Sequence, residues 1–230
     1  VRVEVWSDVV CPWCFIGKRR LEAALERFPH RDEVEVVWRS FQLDPSVPEG
    51  ETHPTLPALA AKYGRSVEKM RGTMRHVEET AAAEGLRYDL AAGVSGNTLL
   101  AHELLHLAAE HGLQGAMKER LLHAHFEQAR SVFDVDSLAA LAVEVGLDES
   151  EVRAALADSR YRPAVQEDVA TARALGATGV PFFVVDRRYG ASGAQPAELL
   201  LQVLEKAWAD AQPLQTVPAA EGCEDGSCAV

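Results

Sequence analysis

The chain has 230 residues, 47% of them hydrophobic and 25% charged, enough to bury an ordinary core in one large domain or two small ones. Its formal net charge of -12, with Lys and Arg dispersed along the chain, repels phosphate backbones and anionic lipid and excludes nucleic acid and membrane as expected partners. No run approaches the roughly 18 apolar residues of a membrane helix, and the first apolar stretch is too short and too charged for a signal peptide. The expectation is cytoplasmic, although numbering that opens at Val1 leaves room for a removed leader.

Val1, Val3 and Val5 alternate with Arg2, Glu4 and Trp6, a period of two that predicts a strand over 1–6. A loop, 7–10, then meets Cys11. Leu21, Ala24, Leu25 and Phe28 follow at helical spacing until Pro29 stops the pattern, so Cys11 sits where a helix begins. Residues 34–41 read as a second strand, and strand, helix, strand opens an α/β fold. Pro45, Pro48, Pro54 and Pro57 make 42–57 a connection without regular structure.

From about 58 to 175 the pattern is helical, with helices predicted at 66–84, 98–111, 114–129, 136–145, 149–157 and 163–175. Gly85, Gly112, Gly146 and Gly176 stand at or just past helix ends, where a left-handed residue is commonly needed. The strand pattern returns at 180–185, followed by a turn and edge strand over 186–193 and a helix over 196–209. The simplest arrangement is an α/β sheet domain from 1–42 and 177–209, with a large all-helical insertion, 43–176, between its halves. The last residues, 210–230, carry Pro213, Pro218, Gly222 and Gly226, have no period and read as a flexible tail.

Four cysteines form two close pairs, Cys11/Cys14 and Cys223/Cys228, too few for a stapled scaffold and suggestive of active thiols. A thiolate is the attacking species in disulfide exchange, and free amides at a helix start favour it. Cys11 occupies that position and Cys14 lies one turn in, while Pro12 suits the first turn because it has no amide proton to leave unpaired. Cys11 is therefore the expected nucleophile and Cys14 the resolving thiol that attacks the mixed disulfide. Buried inert cysteines and half of a zinc site share the spacing. The strand-to-helix junction favours the redox reading.

The run Asp8-Val9-Val10-Cys11-Pro12-Trp13-Cys14-Phe15-Ile16-Gly17 and the run Gly176-Ala177-Thr178-Gly179-Val180-Pro181-Phe182-Phe183 resemble the two signatures of DsbA-type proteins, the FrnE-like group in particular. The resemblance spans roughly 1–209. It implies a thioredoxin-like fold with a large all-helical insertion and a cis-proline loop at Val180-Pro181 packed beside the dithiol. Such a loop turns the Val180 backbone outward as a sheet-like partner for a substrate strand. Read from sequence alone, Pro181 is equally an ordinary proline starting a strand.

Asp8 is a candidate proton acceptor for Cys14, with a solvated loop carboxylate as the alternative. Trp13, together with Pro12, Val180 and Pro181, forms the expected substrate contact, although a Trp packed on its own domain fits as well. His102-Glu103-Leu104-Leu105-His106 matches the helical zinc motif H-E-x-x-H, yet the longer metzincin form needs Gly at 109 and His at 112, where this chain has Ala109 and Gly112. The run is discounted. Asn97-Thr98 with Ala101-His102 resembles a stretch of the FrnE-like insert facing the active site, and Asn97 and Thr98 also read as a helix N-cap.

Cys223 and Cys228 lie five apart in a Gly-containing acidic stretch able to close a disulfide with little strain. About thirteen extended residues span at most roughly 43–47 Å, so the pair can reach the dithiol as an accessory redox relay. A passive tail disulfide and a zinc site shared by both pairs are the alternatives.

The expected activity is protein disulfide oxidoreduction, with isomerase activity as an extension. It acts on thiol- or disulfide-containing proteins, with a thioredoxin- or glutathione-type electron partner and neither cofactor nor metal. Kappa-type glutathione transferases and hydroxychromene carboxylate isomerases are similar around Asp8 to Trp13 but place serine where Cys11 stands and lack the second cysteine. A glutathione-dependent small-molecule enzyme is thus the second reading, and a redox-sensing or metal-binding protein the third.

Overall fold

The computed structural model describes residues 1–211, and the tail pair Cys223 and Cys228 lies outside the described residues. Strand β1 (Arg2–Ser7) leads through an irregular turn into helix α1 (Pro12–Arg27), which Phe28 ends before Pro29, and strand β2 (Glu35–Ser40) returns parallel to β1. Two strands late in the chain, β5 (Phe182–Val185) and β6 (Tyr189–Ser192), complete a sheet of order β2-β1-β5-β6, and the β5 edges are antiparallel. This mixed sheet flanked by helices is the arrangement that the sequence resemblance implies.

Because strand side chains alternate, β1 offers two different faces. Val3 and Val5, in register with Val185 and Phe183, pack against Leu21 and Ala24 of α1 and Leu200 and Leu204 of the last helix, α9 (Ala197–Ala211). Trp6 with Phe182 and Val184 faces the other way, onto Ala172 and Ala177. The Trp6 indole donates to the Asp168 carbonyl at 2.8 Å, which ties β1 to the helix that carries Asp168.

Between β2 and β5 come seven helices: α2 (Thr55–Lys62), α3 (Val67–Ala83), α4 (Leu99–Glu110), α5 (Gln114–Glu127), α6 (Val135–Glu144), α7 (Glu149–Ala157) and α8 (Arg162–Ala174). Gly85, Gly112, Gly146 and Gly176 all take positive φ at helix ends. The segment read as an irregular connection, 42–57, instead forms strand β3 (Thr52–Pro54) and the start of α2. Pro57 is tolerated there because the amide it lacks would have no partner in a first helical turn. β3 depends on a distant antiparallel partner, β4 (Val94–Gly96), which no local pattern signals.

The helices are not packed apart from the sheet. Phe15 and Ile16 of α1 share a core with Leu56, Met70, Met74 and Leu122, and Val9 packs into the cluster of α4, α5, α6 and α7. Gln114 at the start of α5 bonds the β2 backbone as a neighbouring strand would: its carbonyl accepts from the Trp38 amide at 3.0 Å and its amide donates to the Trp38 carbonyl at 2.9 Å. Helix α5 is thereby fixed to β2 at the position in register with Val5 of β1.

Candidate active site

The loop after β1 is shaped by Asp8. Its Oδ1 accepts from the Val9 amide at 2.8 Å and its Oδ2 from the Leu43 amide at 2.8 Å, which fixes the chain entering α1. Cys11 is the N-cap residue of α1, with extended φ and ψ of -90° and 112°, and Pro12 follows as the first helical residue. The Cys14 amide closes the first turn on the Cys11 carbonyl at 3.0 Å.

Both cysteines are free thiols. Cys11 keeps 4% of its surface and Cys14 1%. The Cys11 thiol donates to the Val180 carbonyl at 3.5 Å, and the Val180–Pro181 peptide is cis. Burial, the hydrogen bond with Cys11 and the charge of Cys11 push the Cys14 thiol well above its ordinary range, and Lys118 acts against that rise. The two thiols thus differ in kind. The inner one is held protonated and the outer one bonds the carbonyl of Val180, at the cis peptide.

Val180, Pro181, Cys11, Pro12 and Cys14 come together at this one place. Trp13 stands beside them 37% exposed, and Leu43, whose amide binds Asp8, is also exposed, so an apolar rim borders the thiols. Gly17, one turn past Cys14, allows the close approach of α1 to the proline: a Cβ there would fall 2.9 Å from Pro181 Cγ and 3.2 Å from Phe183. Sequence reasoning quoted Gly17 without giving it this role. Its only signal was a glycine inside a helix, which usually marks close packing.

Asp8 is not a solvated loop residue. It is buried, and His102 Nε2 lies 3.2 Å from its Oδ1. Burial alone would raise its carboxyl, but the His102 contact, the Leu43 amide and the charge of Lys118 outweigh that and hold it below the usual carboxylate range. With both oxygens engaged, Asp8 stays ionised at neutral pH.

Three side chains absent from the sequence reading of the site complete it. The Tyr88 hydroxyl donates to the Pro12 carbonyl at 3.0 Å, and burial together with the charges of Cys11 and Cys14 keeps it protonated far above the ordinary tyrosine range. His125 packs edge-on to the rings of Phe126 and Phe133, and burial lowers it to about 4, opposed by the charge of Asp8. Lys118 is 1% exposed; burial lowers its amine, and the charges of Cys14, Asp8 and Cys11 oppose that. Tyr88 had no periodic signal, whereas Lys118 falls with Leu121, Leu122 and His125 on one face of α5, a charged residue in an apolar stripe.

The H-E-x-x-H residues turn to separate partners. His102 faces Asp8, His106 Nε2 lies 3.1 Å from Ser40 Oγ and 3.2 Å from Asp168, and Glu103 accepts from the Tyr161 amide at 3.3 Å. Thr98 is the N-cap residue of α4 without a side-chain cap bond, and Asn97 Oδ1 accepts from the Leu99 amide at 2.8 Å instead. Among the described residues no helix is long and apolar enough to cross a membrane.

The family model for the DSBA-like thioredoxin domain matches residues 2–205. The protein YwbO of Bacillus subtilis (strain 168) is 31% identical over 219 residues, covering 92% of this chain and 98% of its own. The crystal structure of the probable DsbA oxidoreductase SCO1869 from Streptomyces coelicolor superimposes with a TM-score of 0.88 at 50% identity, covering 100% of this chain and 98% of that one. The cytosolic disulfide reductase DsbM from Pseudomonas aeruginosa, solved with GSH, has the same fold at 20% identity and a TM-score of 0.63, covering 91% of this chain and 100% of that one.

Proposed function

Because the chain belongs to the DSBA-like thioredoxin domain family, we propose that it is a thiol–disulfide oxidoreductase acting on protein thiols and disulfides through Cys11 and Cys14. The observation that carries this is the pair of free thiols on the first turn of α1, with the outer one bonded to the Val180 carbonyl.

In the reducing direction the Cys11 thiolate attacks a substrate disulfide, forming a bond to one sulfur and releasing the other as a thiolate. Cys14 then loses its proton and attacks Cys11, which closes the Cys11–Cys14 disulfide and frees the second substrate sulfur. Two electrons pass to the substrate, and a thioredoxin- or glutathione-type partner returns them. The reverse sequence oxidises a substrate dithiol. An extended polypeptide would lie along Val180, with Trp13, Pro12 and Pro181 as apolar contacts. The same reading puts the chain in the cytoplasm, where a dithiol is held mostly reduced, as for the cytosolic disulfide reductase DsbM of the same fold.

The test is insulin reduction together with scrambled-ribonuclease refolding by the wild type and by Cys11→Ser. Wild-type turnover in either assay, lost in the variant, is the expected result. Inactivity of the wild type in both would overturn the reading. A glutathione-dependent isomerase of small molecules is less well supported, because this site holds two thiols where that chemistry needs only one nucleophilic position. The tail pair Cys223 and Cys228 enters the proposal as an internal relay supported by sequence spacing alone. Mixed disulfides trapped in single-cysteine variants check it, and the absence of any link from 11 or 14 to 223 or 228 ends it.

A further inference from the structure

The first turn of a helix leaves its leading amides without partners inside the helix. In α1 few of them are open to a ligand. Pro12 has no amide proton, and the Cys14 amide is committed to the Cys11 carbonyl at 3.0 Å. Trp13 therefore carries the first-turn amide that remains for the Cys11 sulfur, at the second helical position, from which an N-cap side chain ordinarily takes its bond. As a protonated thiol, Cys11 makes no such bond and donates to the Val180 carbonyl at 3.5 Å. A thiolate has no proton to donate, so on ionisation the sulfur loses that acceptor and needs a donor.

The Trp13 amide shares one peptide unit with the Pro12 carbonyl, and that carbonyl accepts from the Tyr88 hydroxyl at 3.0 Å. A hydrogen bond on the oxygen of a peptide polarises the unit and makes its N–H a stronger donor. Tyr88 lies between α3 and β4, and its ring is held without help from its hydroxyl. It stands 6.2 Å from the Phe15 ring centre at 21°, and 4.7 Å from that of Phe126 at 31°. Phe15 belongs to α1 and Phe126 to α5, so both helices fix the ring against the turn that carries the thiols. Burial and the charges of Cys11 and Cys14 keep the hydroxyl protonated, as a donor must be.

We propose that Tyr88 is a positioning residue for the nucleophile: its hydroxyl, acting through the Pro12 to Trp13 peptide, strengthens the amide that receives the Cys11 thiolate. The inference rests on the redox role of Cys11 and concerns one event, the loss of the Cys11 proton to solvent before the sulfur attacks. The ionisable groups on the thiol side of that event are Cys14, Lys118 and Asp8, the last in contact with His102. On the Tyr88 side they are Arg19, paired with Glu22 and Glu119, and Glu127, which accepts from the Arg87 amide at 2.9 Å and meets His123 at 3.1 Å. All of these are retained when a single hydroxyl is removed.

The test is alkylation of Cys11 by iodoacetamide across pH 4 to 10 in wild type, in Tyr88→Phe and in protein carrying 3-fluorotyrosine at position 88. Phenylalanine keeps the ring and its packing and removes only the donor. Its alkylation midpoint is expected about half a pH unit above that of wild type, which is about a threefold loss of thiolate on the acid limb, since one unit is a tenfold change. The fluorinated ring is a stronger donor of nearly the same shape, so its midpoint should move the opposite way. A packing role alone would lower the melting temperature of Tyr88→Phe with an unmoved midpoint, and that result overturns the proposal. Midpoints that move in the same direction in both proteins overturn it as well.

Should Tyr88→Phe fail to fold, the wild type still decides. In 15N-tryptophan-labelled protein the Trp13 amide proton is expected to shift downfield along the same pH curve as Cys11 alkylation. A Trp13 amide that does not follow that ionisation overturns the proposal. A wild type active in insulin reduction with any of these negative results refutes the role of Tyr88 alone, whereas a wild type inactive in both insulin reduction and ribonuclease refolding refutes the redox reading beneath it.

Discussion

Two buried clusters of charge flank β1, one at its middle and one just past its end, and they are built on opposite terms. At the middle, Glu4 accepts from Arg39 Nη2 at 2.7 Å and from Arg187 Nη2 at 2.6 Å, and Arg39 reaches on to Asp168 at 3.2 Å. Asp168 in turn takes the Ser40 amide at 2.8 Å. Burial would raise the Glu4 carboxyl, but the hydrogen bonds and charges of Arg187 and Arg39 prevail and keep it ionised. Past the end of β1, Asp8 is buried, and the buried Lys118 feels the charges of Asp8 and of the two thiols without an ion pair among the described residues. Charges closed into pairs hold elements together. A charge left open to a titrating neighbour is available for chemistry.

The sharpest way to break that contrast is at the open end. Cys11→Ser is expected to lower the disulfide-exchange rate by about a thousandfold or more while leaving the melting temperature within a few degrees, measured by insulin turbidity and circular dichroism, because the thiolate alone is the nucleophile. An unchanged rate would place the chemistry elsewhere.

At the closed end the effects should exchange places. Glu4→Ala leaves two guanidinium groups facing each other and is expected to cost about 2–3 kcal/mol in urea unfolding. This is less than a fully buried pair loses, because Arg187 is half exposed. Exchange by the folded variant should stay within about twofold of wild type. A tenfold drop would mean that the two clusters communicate.

Gly17→Ala probes the open end without touching a charge. A Cβ 2.9 Å from Pro181 Cγ forces α1 and the proline loop apart, with an expected loss of about 1–2 kcal/mol and a severalfold slower exchange, because Cys11 and Val180 separate. Loss of stability with full activity would show that the spacing between helix and loop does not matter to the reaction.

The smallest effect is in pH dependence. His125 is lowered to about 4, so between its ordinary value near 6.5 and 4 the unfolded chain binds a proton that the folded chain does not. Stability is therefore full above pH 6.5 and falls as the pH drops toward 4. The expected slope totals about 1–2 kcal/mol, discounted because the ring keeps some exposure. His125→Phe should flatten that part of the curve in chemical denaturation at several pH values. Asp8 and Glu4, both held low, contribute stability that persists above the ordinary carboxylate range and is lost only at more acid pH.

Much of this molecule was legible in its residues, for local reasons. The alternation at Val1, Val3 and Val5, the run at 180–185 and the helical spacing after Cys11 each lie within a few residues, so β1, β5 and α1 can be read directly. The two thiols were legible for the same reason, as neighbours on one turn. The strand β3, by contrast, exists only because Val94–Gly96 pairs with it, and α2 begins among prolines that suggested a loop.

What the sequence determined by itself was therefore the period of the elements with a local pattern and the spacing of Cys11 and Cys14 on one turn, since both are set by bonded or near-bonded neighbours. Only the tertiary structure decided the rest. It buried Asp8 against His102, which converted a plausible base into a fixed anion, and it buried Lys118 of α5 against the Trp38 ring of β2. Burial and proximity are properties of the packed whole, and they, more than residue type, determine which buried group holds a proton.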